Sequence, residues 1–359
     1  MQNYDLANLT LQAMAPNNTI LLDNKGLPSV MVKIPKFKIS DVIPGGADKT
    51  HPAFIVNGVE KEYIYISKYQ NIIVDGRAYS HPGVDPRASI NYDTAKVACE
   101  AKGKGWHIMS NAEWAALALW CKKNDCMPHG NNNYSKSVEN PDERGIVSYR
   151  YDVAKTAGRT ATGSGPASWY HNGDISGIAD LNGNVWEWCS GMRLVDGEIQ
   201  IIPDNDSAAC VNESSNSTLW KAIKPDGSLV APGTAGTLKY DYTVEPGTEN
   251  VGKGVPQIVT SLSHKQTNEN PYAAGTFESM TAASGVTIPE IMQILALAPS
   301  GTATNCGDNI YMRNMGERLP FRGGSWHSTS RAGVFALYLY SPRSLSNHLY
   351  GFRSAFVDL

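Results

Sequence analysis

Near the C-terminal end, the side chains best suited to hold a partner crowd together: His327, Ser328, Thr329, Arg331, Tyr338, Tyr340, Ser341, Leu345, Asn347, His348, Leu349 and Tyr350. Tyrosine covers much area for few frozen torsions, and serine adapts its hydrogen bonding, so this mixture suits recognition better than bond-making. Between and around these residues stand others of a different kind: Arg322, Gly323, Gly324 and Trp326 before them, and Gly351, Phe352 and Arg353 after them. In Ala336-Leu337-Tyr338-Leu339-Tyr340 the two kinds alternate with period two. On a strand, that spacing sends Leu337 and Leu339 into a core and both tyrosines to the opposite face.

Bond-making chemistry has less to work with. The six cysteines (Cys99, Cys121, Cys126, Cys189, Cys210 and Cys306) are scattered without a C-x-x-C pair. That disfavours a zinc site or a disulfide framework and leaves buried thiols as the simpler reading. Among the eight histidines, His51, His81, His107, His129, His171 and His264 included, no H-x-x-x-H pairing occurs, so each reads as a surface or loop residue. No G-x-S-x-G nucleophile elbow is present. Pro203-Asp204-Asn205-Asp206 offers hard oxygen ligands but lacks the EF-hand pattern and reads as a turn.

The elements that must position the contact residues are legible in outline. Val30 to Ile34 and Glu62 to Ser67 alternate as strands, with Phe54-Ile55-Val56 between them. A helix is expected from about Asn91 to Ala101, with Asn91 as its cap and Gly103 as its stop. A second follows the capping box Ser110-Asn111-Ala112-Glu113, with Trp114, Leu117, Ala118 and Cys121 on its apolar face. Residues 1–27, with Leu6, Leu9, Leu11 and Met14, read as an N-terminal arm suited to assembly or attachment. Residues from about 192 to 316 read as an insertion with short strands and one helix, Pro289 to Leu297.

At 359 residues the chain can bury a full core. Charged residues make up 18%, Gly 33 and Pro 20 point to many turns, and Tyr 17 against Phe 7 favours half-exposed rings. A net charge of −3 without a basic stripe argues against nucleic acid as a partner. No apolar run approaches the ~20 residues that span a bilayer, so no membrane insertion is expected. The first residues lack a basic and then apolar run, so no signal peptide is recognised.

Two segments together carry a resemblance: Leu181-Asn182-Gly183-Asn184-Val185-Trp186-Glu187-Trp188, and RGGSW…GFR from Arg322 to Arg353. They resemble the C-type-lectin-fold variable proteins of diversity-generating retroelements, a group that includes phage tropism determinants. They are also similar to the wider family that contains formylglycine-generating enzyme. The match extends more loosely from about Pro28 to the C-terminus, giving a domain over 28–359 with a variable region at about 325–350. The implied fold is α+β, a C-type lectin-like fold with short antiparallel sheets, two helices and a long loop-rich insertion. Asn184, Trp186, Glu187, Trp188, Arg322, Gly323, Gly324, Trp326, Gly351, Phe352 and Arg353 are then scaffold. In such a scaffold the WEW segment is core, and a buried Glu187 needs a partner, for which Arg353 and Arg343 are the candidates.

Within the retroelement group, adenines of AAC-type codons are randomised, which never yields Lys, Glu, Gln, Met or Trp. None of those five occurs from His327 to Tyr350, although all are used elsewhere. The resemblance implies a binding protein rather than an enzyme, on a phage tail or bacterial surface, whose partner is a variable protein or glycan receptor on a target cell. Self-association as a homo-oligomer is compatible with the arm. The alternative is an active formylglycine-generating-enzyme-like oxidoreductase on another substrate. That family's activity depends on two cysteines in the terminal segment, holding copper, and Arg322 to Leu359 contains none. No cofactor is expected; a structural calcium ion near Asn184 is the one that the resemblance allows.

Overall fold

The computed structural model describes residues 3–245, 253–269, 271–300 and 307–359. Cys306 lies outside them. The chain is of mixed α+β class, with strands first, two helices next and strands again at the end, the order that the resemblance implied.

Two sheets hold the molecule together. The first runs β1 (Asn18–Leu22), β2 (Pro28–Pro35), β3 (Tyr63–Ser67), β11 (Ser354–Phe356) and β4 (Trp106–Ile108), all antiparallel. Chain start and chain end thus share one sheet, which fixes the last strand against residues far away in sequence. The second sheet runs β6 (Ala273–Thr276), β7 (Asn309–Met312), β9 (Gly333–Leu339), β8 (Phe321–Gly323), β5 (Trp186–Trp188) and β10 (Tyr350–Phe352). Strand β5 pairs antiparallel with β8 and parallel with β10, so the two motif segments are direct strand neighbours. Eight further strands form a third sheet, nearly all of it from the insertion.

Strand β1 corrects the boundary of the expected arm. Asn18 to Leu22 pair residue for residue with Val32 to Pro28, because Asn18 is fully buried and Ile20 and Leu21 are half-buried on the sheet. Helix α1 (Asn3–Met14) is tied to β1 where Asn8 Oδ1 accepts the Ile20 N–H at 2.8 Å, and it leaves Leu6, Leu9 and Met14 exposed. The next long helix, α2 (Tyr92–Glu100), starts where Asn91 accepts the Thr94 N–H. In α3 (Asn111–Lys123) the Ser110 Oγ accepts the Glu113 N–H, and Glu113 Oε2 accepts the Ser110 N–H. Helix α3 is buried on almost every side, and its Trp114 indole N–H donates to Val334 O at 2.8 Å, tying it to β9. The helix in the insertion is shorter than its sequence suggested, Glu290–Ile294, with Pro289 just before it.

Three histidines expected at the surface are core residues: His51, His107 and His171 are each under a tenth exposed. His107 Nε2 meets Glu113 Oε1 at 2.9 Å, and His51 Nε2 meets Ile294 O at 2.9 Å. Each ring has a polar partner, which offsets the cost of its burial. Burial pushes His51 down to about 4, so it is neutral at neutral pH.

Candidate functional site

Glu187 and Arg353 lie beneath the C-terminal face. Glu187 is 1% exposed and Arg353 0%, and they pair through Nε to Oε2 at 2.5 Å and Nη2 to Oε1 at 2.6 Å. Arg353 also donates to Ser67 O and Ala179 O, and Gln70 Nε2 donates to Glu187 Oε1 at 3.0 Å. Of the two candidate partners the structure selects Arg353; Arg343 pairs with Glu317 and Asp93 instead. Arg353 is also where the chain passes from β10 to β11, so the ion pair clamps the junction of the two sheets.

Above the clamp is an aromatic floor. Strand β9 sends Val334, Phe335, Leu337 and Leu339 into the main core, and Ala336 and Tyr338 into a second cluster with Trp186, Trp188, Phe321 and Tyr350. The Tyr338 ring lies 5.3 Å from Trp186 and 5.6 Å from Phe321, and its hydroxyl meets that of Tyr350 at 3.2 Å. Leu345 and Leu349 close over the cluster. Three of the expected contact residues are therefore floor: Tyr338 and Tyr350 are each 6% exposed, and Ser341 is buried. Burial raises the hydroxyls of both tyrosines above the usual tyrosine value, Tyr338 most of all. Alternation placed Tyr338 on the second face of β9 with Tyr340, but Trp186, Phe321 and Tyr350 enclose it there.

The remaining expected residues form a rim. Trp326 O accepts the Tyr134 N–H at 2.7 Å, Trp326 N–H donates to Asn184 O, and Thr329 N–H donates to Asn132 O, which docks the turn from Ser325 to Arg331. Gly324 opens it at φ +91°, where a Cβ would come within 2.3 Å of the Ala332 Cβ. From this turn His327 and Arg331 are exposed, with Ser328 and Thr329 half-buried. Tyr340, Leu345, Asn347, His348 and Leu349, also half-buried, complete the rim. Arg331 has no carboxylate partner among the described residues. Burial lowers the His327 and His348 imidazoles, and the neighbouring Arg159 charge lowers His348 further.

Several rim residues were not anticipated from sequence. Tyr151 stacks on His348 at 4.9 Å and 17° and lies 5.4 Å from Trp326. Tyr272 stacks on Tyr340 at 5.1 Å and 12°, and Tyr134 packs edge-on to Trp326 at 5.3 Å. Arg159, paired with Asp85, donates to His348 O and lies 3.9 Å over the Tyr149 ring. The excess of Tyr over Phe was the one sequence signal for them, and it carries no positions. The Trp326 indole N–H is buried and has no acceptor among the described residues, so the rim keeps one unsatisfied donor beneath it.

The same face carries a hydroxyl–imidazole pair. Ser325 Oγ meets His327 Nδ1 at 3.1 Å, but Ser325 is buried and no carboxylate bonds His327 among the described residues. Copper held by paired thiolates does not fit: Cys99, Cys121 and Cys189 are buried with pKa raised by that burial, the opposite of a reactive thiolate. Among the described residues no group of three or more His, Cys, Asp or Glu could hold a metal ion. Asn184 Oδ1 accepts from Thr160 N and Asn131 Nδ2, and its Nδ2 donates to Gln70 Oε1 and Thr160 O. So engaged, its amide fits a tie between loops better than a calcium ligand.

The family described as Sulfatase-modifying factor enzyme 1-like domain matches residues 12–201. No curated protein matches. Among solved structures, PvdO from Pseudomonas aeruginosa aligns over 94% of this chain and 97% of its own, at 12% identity and a TM-score of 0.38. Treponema denticola variable protein 1 aligns over 94% and 98%, at 12% identity and a TM-score of 0.34. The Major Tropism Determinant U1 variant aligns over 94% and 71%, at 10% identity and a TM-score of 0.30.

Proposed function

The chain belongs to the Sulfatase-modifying factor enzyme 1-like domain family, and we propose that it uses this scaffold for binding: the rim is a recognition surface diversified by a retroelement, and its partner is a protein or glycan on a target cell. One observation carries the reading. His327, Arg331, Tyr340 and His348 stand on a frame held by its own backbone hydrogen bonds and by the Glu187–Arg353 pair, so rim residues can be exchanged without unfolding the domain. The rim is aromatic, rich in hydrogen-bonding groups and mildly cationic, the composition of an adaptable paratope. Display on a phage tail or bacterial surface follows from that role, and several copies would raise modest affinity through effective concentration.

Sequencing the locus and its sibling copies tests this. Adenine-matched differences confined to codons 325–350, with a reverse transcriptase and a template repeat nearby, are expected. They should fall on rim codons more than on Tyr338 and Tyr350. A uniform terminal segment without such neighbours overturns the reading. The oxidoreductase alternative, which family membership keeps in view, requires a redox metal retained on purification; elemental analysis is expected to find none.

A further inference from the structure

Under the first sheet, and sharing no residue with the rim, the fold leaves an open space. A cavity of about 390 Å³ opens between β2, the last turn of α3 and the loop around Asn172. That volume is in the range of small-molecule sites. Val32, Ile34, Phe37 and Leu117 give it apolar walls, and Trp120 lines one side.

His171 makes this cavity unlike an ordinary packing gap. The residue is 6% exposed, lines the cavity, and lies 5.3 Å from the Trp120 ring. Its Nδ1 accepts the Ile178 N–H at 2.8 Å, so the ring proton sits on Nε2. That N–H donates to nothing among the described residues. Burial first, then the nearby Arg353 and Lys68 charges, hold the ring down to about 4, so it stays neutral. Open to the cavity, the Nε2–H is left to solvent, whose place an incoming acceptor would take.

The charges at the mouth select the kind of acceptor. Asp41 is the one carboxylate lining the cavity, and its Oδ2 already accepts the Lys38 N–H at 2.8 Å. Lys36 is held by Glu60 and Glu62. Lys33 lies over the Tyr63 ring, and Lys123, exposed on the same helical turn as Trp120, has no ion pair among the described residues. The balance left at the opening is positive.

We propose that this cavity binds a small planar aromatic carboxylate, its ring against Trp120 and Phe37, one oxygen accepting the His171 Nε2–H, and its charge complemented by Lys123. Calorimetry on the full chain with 2-naphthoate, and with uncharged 2-naphthylmethanol as control, tests it. Saturable one-to-one binding of 2-naphthoate is expected, with the alcohol at least about tenfold weaker. Lys123→Glu, at an exposed position that folding does not need, should weaken 2-naphthoate about tenfold and leave the alcohol unchanged. Trp120→Ala should weaken both. Absence of saturable 2-naphthoate binding by the folded parent overturns the proposal, as does binding that Lys123→Glu and Trp120→Ala leave unchanged.

Discussion

Tyr338 and Tyr340 share one face of β9, their ring centroids 4.1 Å apart, yet they sit in different surroundings. Tyr338 is 6% exposed, enclosed by Trp186, Phe321 and Tyr350, with its hydroxyl on that of Tyr350. Tyr340, one residue beyond the strand, is half-buried and stacks on Tyr272 from the insertion. Residue type is identical, and so is the face; what differs is cover. Floor and rim are therefore separated by which distant segments close over them, and a change in one should be felt in stability, in the other in binding.

The most damaging way to probe the floor is from below. Glu187→Ala leaves the Arg353 guanidinium buried without its carboxylate, and an unfolding titration should show a loss of about 3–5 kcal/mol. Adding Arg353→Met should restore part of it, because the stranded charge is then gone. A Glu187→Ala protein as stable as the parent would mean that Arg353 finds water or another acceptor.

Tyr338→Ala comes next, with an expected loss of about 3 kcal/mol from removing a ring packed on Trp186, Tyr311, Phe321, Tyr340 and Tyr350. Tyr338→Phe should cost only about 1 kcal/mol, that of the hydroxyl contact. If instead Tyr338→Ala abolishes binding while the unfolding midpoint stays put, floor and rim are one surface and the distinction fails.

How much of this was legible in the sequence follows the same division between local and distant causes. Both helix starts were readable, because Asn91 and Ser110 act on backbone within three residues of themselves. Glu187 was legible as a buried charge needing an arginine, since a motif fixed its neighbourhood. The faces of β9 were legible from period two, but the cover over Tyr338 and Tyr350 was not. It comes from Leu345 and Leu349, from Tyr311, and from the pairing of β7 with β9, all set by tertiary contact. Strand β1 was missed because its short run, Asn18-Thr19-Ile20-Leu21-Leu22, has no clean alternation and earns its place only by pairing with β2. His171 was missed because a single histidine in a loop gives no sign of the cavity that it lines.

The rim should respond in the opposite sense. Removing His327, Arg331 and His348 together as alanines should change stability by less than about 1 kcal/mol, since exposed or half-buried substitutions are usually mild. The same variant should lose partner binding. A large loss of stability would show that the ring stack of His348 on Tyr151 is structural, which would move His348 from rim to floor.

The smallest expected effect is in pH, and it compares rim histidines with core ones. His327 and His348 titrate below the ordinary value of 6.5, from burial first, then from the His348 charge on His327 and the Arg159 charge on His348. With the folded value below the unfolded one, the unfolded chain binds more protons as pH falls through 6.5, so stability declines there and levels off below the folded value. His51 and His171, held near 4, act with the same sign over the wider window from 6.5 down to about 4. His107 opposes them: burial lowers it, but the Glu113 carboxylate outweighs burial and raises it above 6.5. Its contribution is present in acid and fades as pH rises through that raised value. The parent curve also carries His81, lowered by burial, and Asp180, raised by burial to about 6, so only the difference between parent and the His327→Ala/His348→Ala variant isolates the rim. Denaturant midpoints across mildly acidic pH should fall slightly less steeply in the variant. Equal slopes would mean that both rim imidazoles take up protons as freely as in the unfolded chain, leaving the decline to groups outside the rim.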